Sequence, residues 1–120
     1  MSVAPTRPIR RVEKGWGYEL WVHNAEDYCG KILVVYAGKK CSLHHHRLKS
    51  ETFYIQSGSL SMRTRDDAGR ESTVEMSQGQ VLEIPPGLSH QFTGIAECTE
   101  IVEFSTQHFD EDSIRLEVGD

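Results

Sequence analysis

The chain has no apolar run approaching the roughly 20 residues that a membrane-spanning helix needs. Its opening residues, Met1-Ser-Val-Ala-Pro-Thr-Arg-Pro8, lack the apolar core of a secretory signal. These two absences predict a cytoplasmic protein that does not engage a membrane. Basic charge is also scarce: 13 Lys and Arg stand against 18 Asp and Glu, a formal net charge of -5. A nucleic-acid surface normally needs a basic stripe to neutralise phosphates, so no nucleic-acid partner is expected. The one basic cluster, Arg7, Arg10, Arg11 and Lys14, falls in residues 1–14, which read as a flexible leader with a solvated charged face. Cysteines number three, Cys29, Cys41 and Cys98. An odd number without CxxC spacing excludes a disulfide framework or a zinc knuckle and fits a reducing compartment, with the thiols as small core residues. Internal repeats and low-complexity segments are missing too.

What remains is an ordinary globular composition, 38% hydrophobic and 26% charged, in 120 residues. A chain of this size forms one domain, placed at residues 15–120, and buries about two thirds of its unfolded surface. Its punctuation is that of short strands. Tyr18 to His23, Lys31 to Tyr36, Cys41 to His46, Thr52 to Gln56, Ser59 to Arg65, Glu71 to Glu75, Val81 to Ile84, Ser89 to Thr93 and Glu100 to Ser105 alternate with Gly-, Asn- and Asp-rich turns. Only Asp110 to Ile114 reads as a helical turn. Many short strands at regular spacing predict an all-β sandwich or barrel.

Four side chains in this pattern point to a metal. Successive strand residues alternate faces, so His44 and His46 share one face while His45 points away. Four residues separate His46 from Glu51, enough for a kink that returns a carboxylate to the same cavity. Gly79-Gln-Val-Leu-Glu-Ile-Pro85-Pro-Gly87-Leu-Ser-His90 places a turn just before a lone imidazole and aims it. Burying three imidazoles and a carboxylate without a partner costs several kcal/mol; a single divalent cation satisfies all four. Zn is the first choice for this N and O set, and Mn, Fe, Ni or Co also suit it. His23, beside a turn, and His108, in a polar tail, read as surface or supporting residues.

The spacing Gly38, five residues, His44-x-His46, four residues, Glu51, six residues, Gly58 resembles the first cupin motif. Gly79, Pro85, Gly87 and His90 are similar to the second; Gly94 stands where that motif usually carries Asn. The resemblance implies a double-stranded β-helix, the jelly-roll cupin barrel. A narrower likeness, through Gly15-Trp-Gly-Tyr18, Gly30 to Gly38, Ser42 to Arg47, Ser50-Glu51 and Glu103 to Arg115, is to the isomerase module of type II mannose-6-phosphate isomerases. It implies a metal-dependent aldose and ketose isomerase acting on a sugar or sugar phosphate. By position in that module, Glu103 is the candidate acid and base, and Lys31 and Arg115 the groups that hold a phosphate or substrate hydroxyls. Trp16 and Tyr18 could cover the barrel mouth or pack against it. An iron-dependent dioxygenase and a non-catalytic sugar- or metal-binding module are the alternatives. A homodimer is expected, with Ile9 to Leu20 lending a strand to a second copy.

Overall fold

In a computed structural model, which describes residues 3–120, eleven strands account for nearly all regular structure. They are β1 (Arg10–Lys14), β2 (Gly17–Asn24), β3 (Cys29–Tyr36), β4 (Leu43–His46), β5 (Glu51–Ser57), β6 (Ser59–Arg65), β7 (Glu71–Ser77), β8 (Val81–Ile84), β9 (Ser89–Gly94), β10 (Cys98–Ser105) and β11 (Ser113–Glu117). One sheet runs β1-β2-β3-β10-β5-β8 and the other β11-β4-β9-β6-β7, and the paired strands are antiparallel. The two sheets face each other as a double-stranded β-helix, the jelly-roll barrel. Among the described residues no helix is long and apolar enough to cross a membrane.

Strand alternation decides what lies between the sheets. Leu33, Val35, Ile55, Leu60, Met62 and Ile101 point inward and are fully buried or nearly so, closing one half of the barrel with apolar side chains. The other half is lined by histidines, lysines and carboxylates around a cavity of about 520 Å³. Gly58 closes the turn between β5 and β6 at φ +87°, and a Cβ there would come within 2.7 Å of the Cys98 carbonyl oxygen. Glycine is required on both counts.

Three expectations change. Residues 10–14, assigned to a flexible leader, are β1, paired residue for residue with β2 of the same chain from Arg10↔Trp21 to Lys14↔Gly17. The short turn at Gly15-Trp16 makes that pairing local, so in this structure the segment expected to lend a strand folds back on its own neighbour. Second, only Asp110–Asp112 is helical, as a single 3-10 turn, and Ser113–Glu117 is an edge strand on β4. The acidic run conceals an alternating Ile114 and Leu116 that pair better as strand than as helix. Third, Cys98 is exposed, whereas Cys29 and Cys41 are buried as expected.

Candidate metal centre

His44 and His46 project from β4 into the cavity, and His44 is the direct cross-strand partner of His90 on β9. The ring centroids of His44 lie 5.1 Å from His46 and 4.4 Å from His90. One ligating nitrogen from each of the three can be chosen so that all lie within 4.8 Å of one another. Gly87, at φ +86°, donates its N–H to the His46 carbonyl at 2.8 Å, tying the turn before His90 to the ligand strand. Glu51 is the first residue of β5. Its return to the cavity is enforced by buried Asp112, whose carboxylate accepts the backbone N–H of Arg47, Leu48 and Lys49 at 3.0 Å each. Those bonds outweigh the cost of burial and hold Asp112 below its usual pKa.

The histidines are oriented from behind. His44 Nδ1 lies 2.9 Å from the Ser42 carbonyl and His90 Nδ1 3.0 Å from the Leu88 carbonyl, contacts in which the ring N–H must donate. Each tautomer so fixed leaves Nε2 as a lone-pair donor facing inward. Glu51 Oε2 stands 3.2 Å from His46 Nε2 and 3.5 Å from His90 Nε2. Yet Glu51 Oε2, His90 Nε2 and His46 Nδ1 are buried without hydrogen-bond partners. Orphaned buried polar atoms are rare in folded proteins and costly. Two of these three, Glu51 Oε2 and His90 Nε2, converge on one point, and a divalent cation there would satisfy both along with the other imidazoles. Burial pushes the His44 pKa down to about 3, with further lowering from His90, so its ring is neutral as a metal ligand must be. Burial lowers His90 as well. Burial would raise Glu51, but the His46 contact and the charge of Lys49 overcome it and hold the carboxylate ionised.

The wall beside this cluster carries a second set of charges. On β3 and β10, Lys31 and Glu103 are direct cross-strand partners, both 3% exposed and both inward. Both side chains therefore face the cavity and not solvent. Lys49, also 3% exposed, donates to Glu103 Oε2 at 3.0 Å and lies 3.8 Å from Glu51 Oε1. Burial alone would lower the Lys49 pKa; Glu103 and Glu51 raise it and keep the ammonium charged. Lys31 Nζ sits 3.5 Å from Glu19 and 4.2 Å from the centre of the Trp21 ring, and Arg10 lies over the same ring at 4.9 Å. The register explains the stack: Arg10, Trp21, Lys31 and Glu103 are successive neighbours across β1, β2, β3 and β10.

Arg115 lines the cavity from β11, opposite His44, and makes no ion pair with Asp110 or Asp112 among the described residues. His108, read as a surface or supporting residue in a polar tail, lines the cavity: its Nδ1 is 3.1 Å from Lys49 Nζ, its Nε2 2.9 Å from Asp110, and burial together with Lys31 and Lys49 takes its pKa down to about 4. Trp16 is a packing residue, 6% exposed with its ring edge-on to Phe92 at 5.0 Å, while it also borders the cavity. Tyr18 faces away, under the Arg11 guanidinium at 3.8 Å. His45 lies outside the cluster, 3.4 Å from Ser89 Oγ, and His23 pairs with Asp27 at the turn. Lys49, Asp112, Trp21 and Glu19 were not singled out from sequence. For Trp21 and Glu19 the alternation along β2 was an available signal; for Lys49 and Asp112, in loop and turn segments, there was none.

The Cupin domain family model matches residues 31–102. No curated protein matches the chain. Among solved structures, the chain is similar to the capsular polysaccharide assembling protein CapF from Staphylococcus aureus, with a TM-score of 0.82 and 21% identity over 94% of this chain and 35% of that one. It is also similar to oxalate decarboxylase from Bacillus subtilis, with a TM-score of 0.81 and 20% identity over 89% of this chain and 30% of that one. These likenesses are of fold, and the chain spans about a third of the length of either protein.

Proposed function

The chain belongs to the cupin domain family, and from that membership we propose that it is a divalent-metal-dependent isomerase interconverting an aldose and a ketose, with a sugar phosphate as substrate. The observation that carries this reading is the convergence of His44, His46, His90 and Glu51 beside a buried, lysine-held carboxylate, Glu103. When bound by those four residues, the cation supplies Lewis-acid polarisation of a carbonyl or hydroxyl oxygen. Zn is the first choice and Mn, Fe, Ni or Co also fit the donor set.

The proton work falls to the chain. Glu103 Oε2 accepts from Lys49 Nζ at 3.0 Å and Ser105 Oγ at 3.2 Å. Oε1 is left to take a proton from the carbon beside a carbonyl and return it to the adjacent carbon, while the hydroxyl proton passes between the two oxygens. Reactant and product are then isomers, with nothing gained or lost. Lys31, held by Glu19 and Trp21, is placed to donate to substrate hydroxyls, and Arg115, at the exposed rim, to hold a phosphate. The sugar-related name of CapF supports a carbohydrate ligand at the level of class.

The test is metal analysis followed by proton exchange into deuterated water at C1 and C2 of mannose 6-phosphate and fructose 6-phosphate. One metal per chain, exchange with both sugars and loss of both on chelation are expected. His46→Ala is expected to lose the metal and His45→Ala to keep it. Glu103→Gln lowers kcat with little change in KM, and Arg115→Ala raises KM. Metal-loaded protein without exchange overturns the isomerase; saturable sugar binding alone then favours a binding module, and oxygen uptake with bound iron a dioxygenase.

A further inference from the structure

Inside the cavity nearly every charged group already has a partner. Lys49 bonds to Glu103, Lys31 stands 3.5 Å from Glu19, Asp110 accepts from His108 at 2.9 Å, and Asp120 accepts the Lys40 backbone N–H at 2.8 Å. Among the described residues, three lining cations make no ion pair and no side-chain hydrogen bond: Arg10, Lys14 and Arg115. Strand alternation produces the difference. On β1 the outward Arg11 pairs with Glu13 at 2.6 Å, whereas Arg10 and Lys14 turn to the cavity on either side of Val12.

Of the three, Arg10 is held in place without being used. The Ile9 N–H donates to the Trp21 carbonyl at 2.8 Å, which fixes the register at this end of β1. The Arg10 guanidinium lies over the Trp21 ring, 4.9 Å from its centre. That ring is itself locked: its Nε1 donates to Glu19 at 2.9 Å, Lys31 Nζ sits 4.2 Å from its centre, and His108 meets it edge-on at 5.2 Å. Attraction to the ring positions the guanidinium and consumes none of its N–H donors. The hydrogen bond from His108, and more weakly the charge of Arg10, hold Asp110 below its usual pKa, so this carboxylate is committed to His108. Arg115 stands across the mouth: β1 is the outermost strand of one sheet and β11 of the other, and both line the same cavity. Lys14 lies about 13 Å along β1 from Arg10, beside Gly15, which packs against the Asp120 backbone at the far end of the mouth.

We propose that Arg10 and Arg115 are the two jaws of a clamp for the phosphate of a sugar phosphate, one arginine from each sheet, and that Arg10 selects the phosphorylated over the free sugar. The clamp rests on the isomerase reading of the site for its substrate class. Two planar guanidinium forks suit a phosphate dianion, with its several acceptor oxygens, better than point charges do. The span fits as well. Trp21, beneath the Arg10 guanidinium, is two strands from Glu103, about 10 Å at about 4.8 Å per strand. An open-chain hexose reaches roughly 8 Å from C2 to a phosphorus on its terminal carbon, counting single bonds of about 1.5 Å in zigzag. With the carbonyl end beside Glu103, the phosphate arrives where Arg10 lies over Trp21.

Calorimetric titration of the metal-loaded protein with mannose 6-phosphate and with mannose tests the clamp. Wild type is expected to bind the phosphate ester more tightly than the free sugar. Arg10→Gln is expected to weaken mannose 6-phosphate about 10- to 100-fold, the usual share of a charge-assisted hydrogen bond, and to leave mannose unchanged. Arg10→Lys, which keeps the charge and loses the fork, recovers only part of the affinity. Arg10 is exposed on an edge strand, so neither change threatens the fold. Arg11→Gln removes the same charge from the outer side of the same strand and leaves both titrations unchanged. Equal weakening by Arg10→Gln and Arg11→Gln would reveal diffuse attraction by charge and overturn the clamp. So would full affinity in Arg10→Gln, or a wild type that does not prefer the phosphate ester. The isomerase reading fails separately. Affinity that depends on Arg10 without proton exchange at C1 and C2 keeps the clamp and removes the isomerase; exchange with a KM indifferent to Arg10→Gln does the reverse.

Discussion

The two halves of the barrel interior are made by the same strands and differ in what they ask of the fold. Toward one end β10 contributes Ile101 and β5 contributes Ile55, both with no exposed surface, against Leu60 and Met62 of the facing sheet. Two residues along β10 and four along β5, the same strands present Glu103 and Glu51 to a cavity with lysines, imidazoles and unpartnered donor atoms. The apolar half gains free energy from burial; the polar half is tolerated because the first holds its walls in place. A sheet that is rigid at one end can keep costly groups aligned at the other, which is the condition for a preformed metal site.

The comparison is sharpest at Lys49, which joins Glu103 to Glu51. Removing one partner of a buried ion pair leaves an uncompensated charge and costs about 3–5 kcal/mol. Lys49→Met in metal-free protein is expected to lower unfolding stability by that amount in a urea titration, and Lys49→Met with Glu103→Gln to recover a large part. A single-variant loss below about 1 kcal/mol would mean that water screens the pair and that the polar half behaves as surface.

At the apolar end, Ile101→Ala removes side-chain volume from a fully buried site and costs about 3 kcal/mol, within the usual range for such truncations. Metal stoichiometry stays at one per chain, because the strand is still held on both sides by β3 and β5. Loss of metal together with stability would show that the two halves are not separable.

How much of this was readable in the sequence follows the same division. His44, His46, Glu51 and His90 could be found because a strand fixes which neighbours share a face, and a Gly-Pro turn fixes where the next strand starts. The barrel followed from the spacing of short strands. Lys49 and Asp112 could not be found, and His108 could be read no further than as a surface or supporting residue, since each matters through a partner 54 to 65 residues away and none sits in a local pattern. β11 was concealed by the acidic Asp110-Glu-Asp112 run, which favours a helical start, and its identity as strand comes from the free edge of β4. β1 was misread because Arg10, Arg11 and Lys14 look like a solvated cluster, whereas Arg10 and Lys14 line the cavity on one side of the strand and Arg11 stacks on Tyr18 on the other.

Acidity separates the two halves as well. The folded chain depresses the basicity of His44, to about 3, and of His90, chiefly by burial. The unfolded chain protonates both near 6.5, so below that pH the unfolded state binds more protons than the folded one. Stability of the metal-free protein therefore falls as pH drops from 6.5, by up to about 1.4 kcal/mol per pH unit for each imidazole, and for His44 the loss continues to about pH 3. Glu51 acts in the same direction lower down: its folded pKa lies below its unfolded value of 4.5, so the stability it contributes is present above 4.5 and disappears as pH falls further. Urea titrations of metal-free protein at pH 7 and pH 5 are expected to show this loss, and the His44→Gln variant to show it reduced by the share of one imidazole. Ile101→Ala, which touches no titrating group, is expected to shift both titrations equally. A pH dependence that persists undiminished in His44→Gln would place the proton uptake elsewhere than at His44.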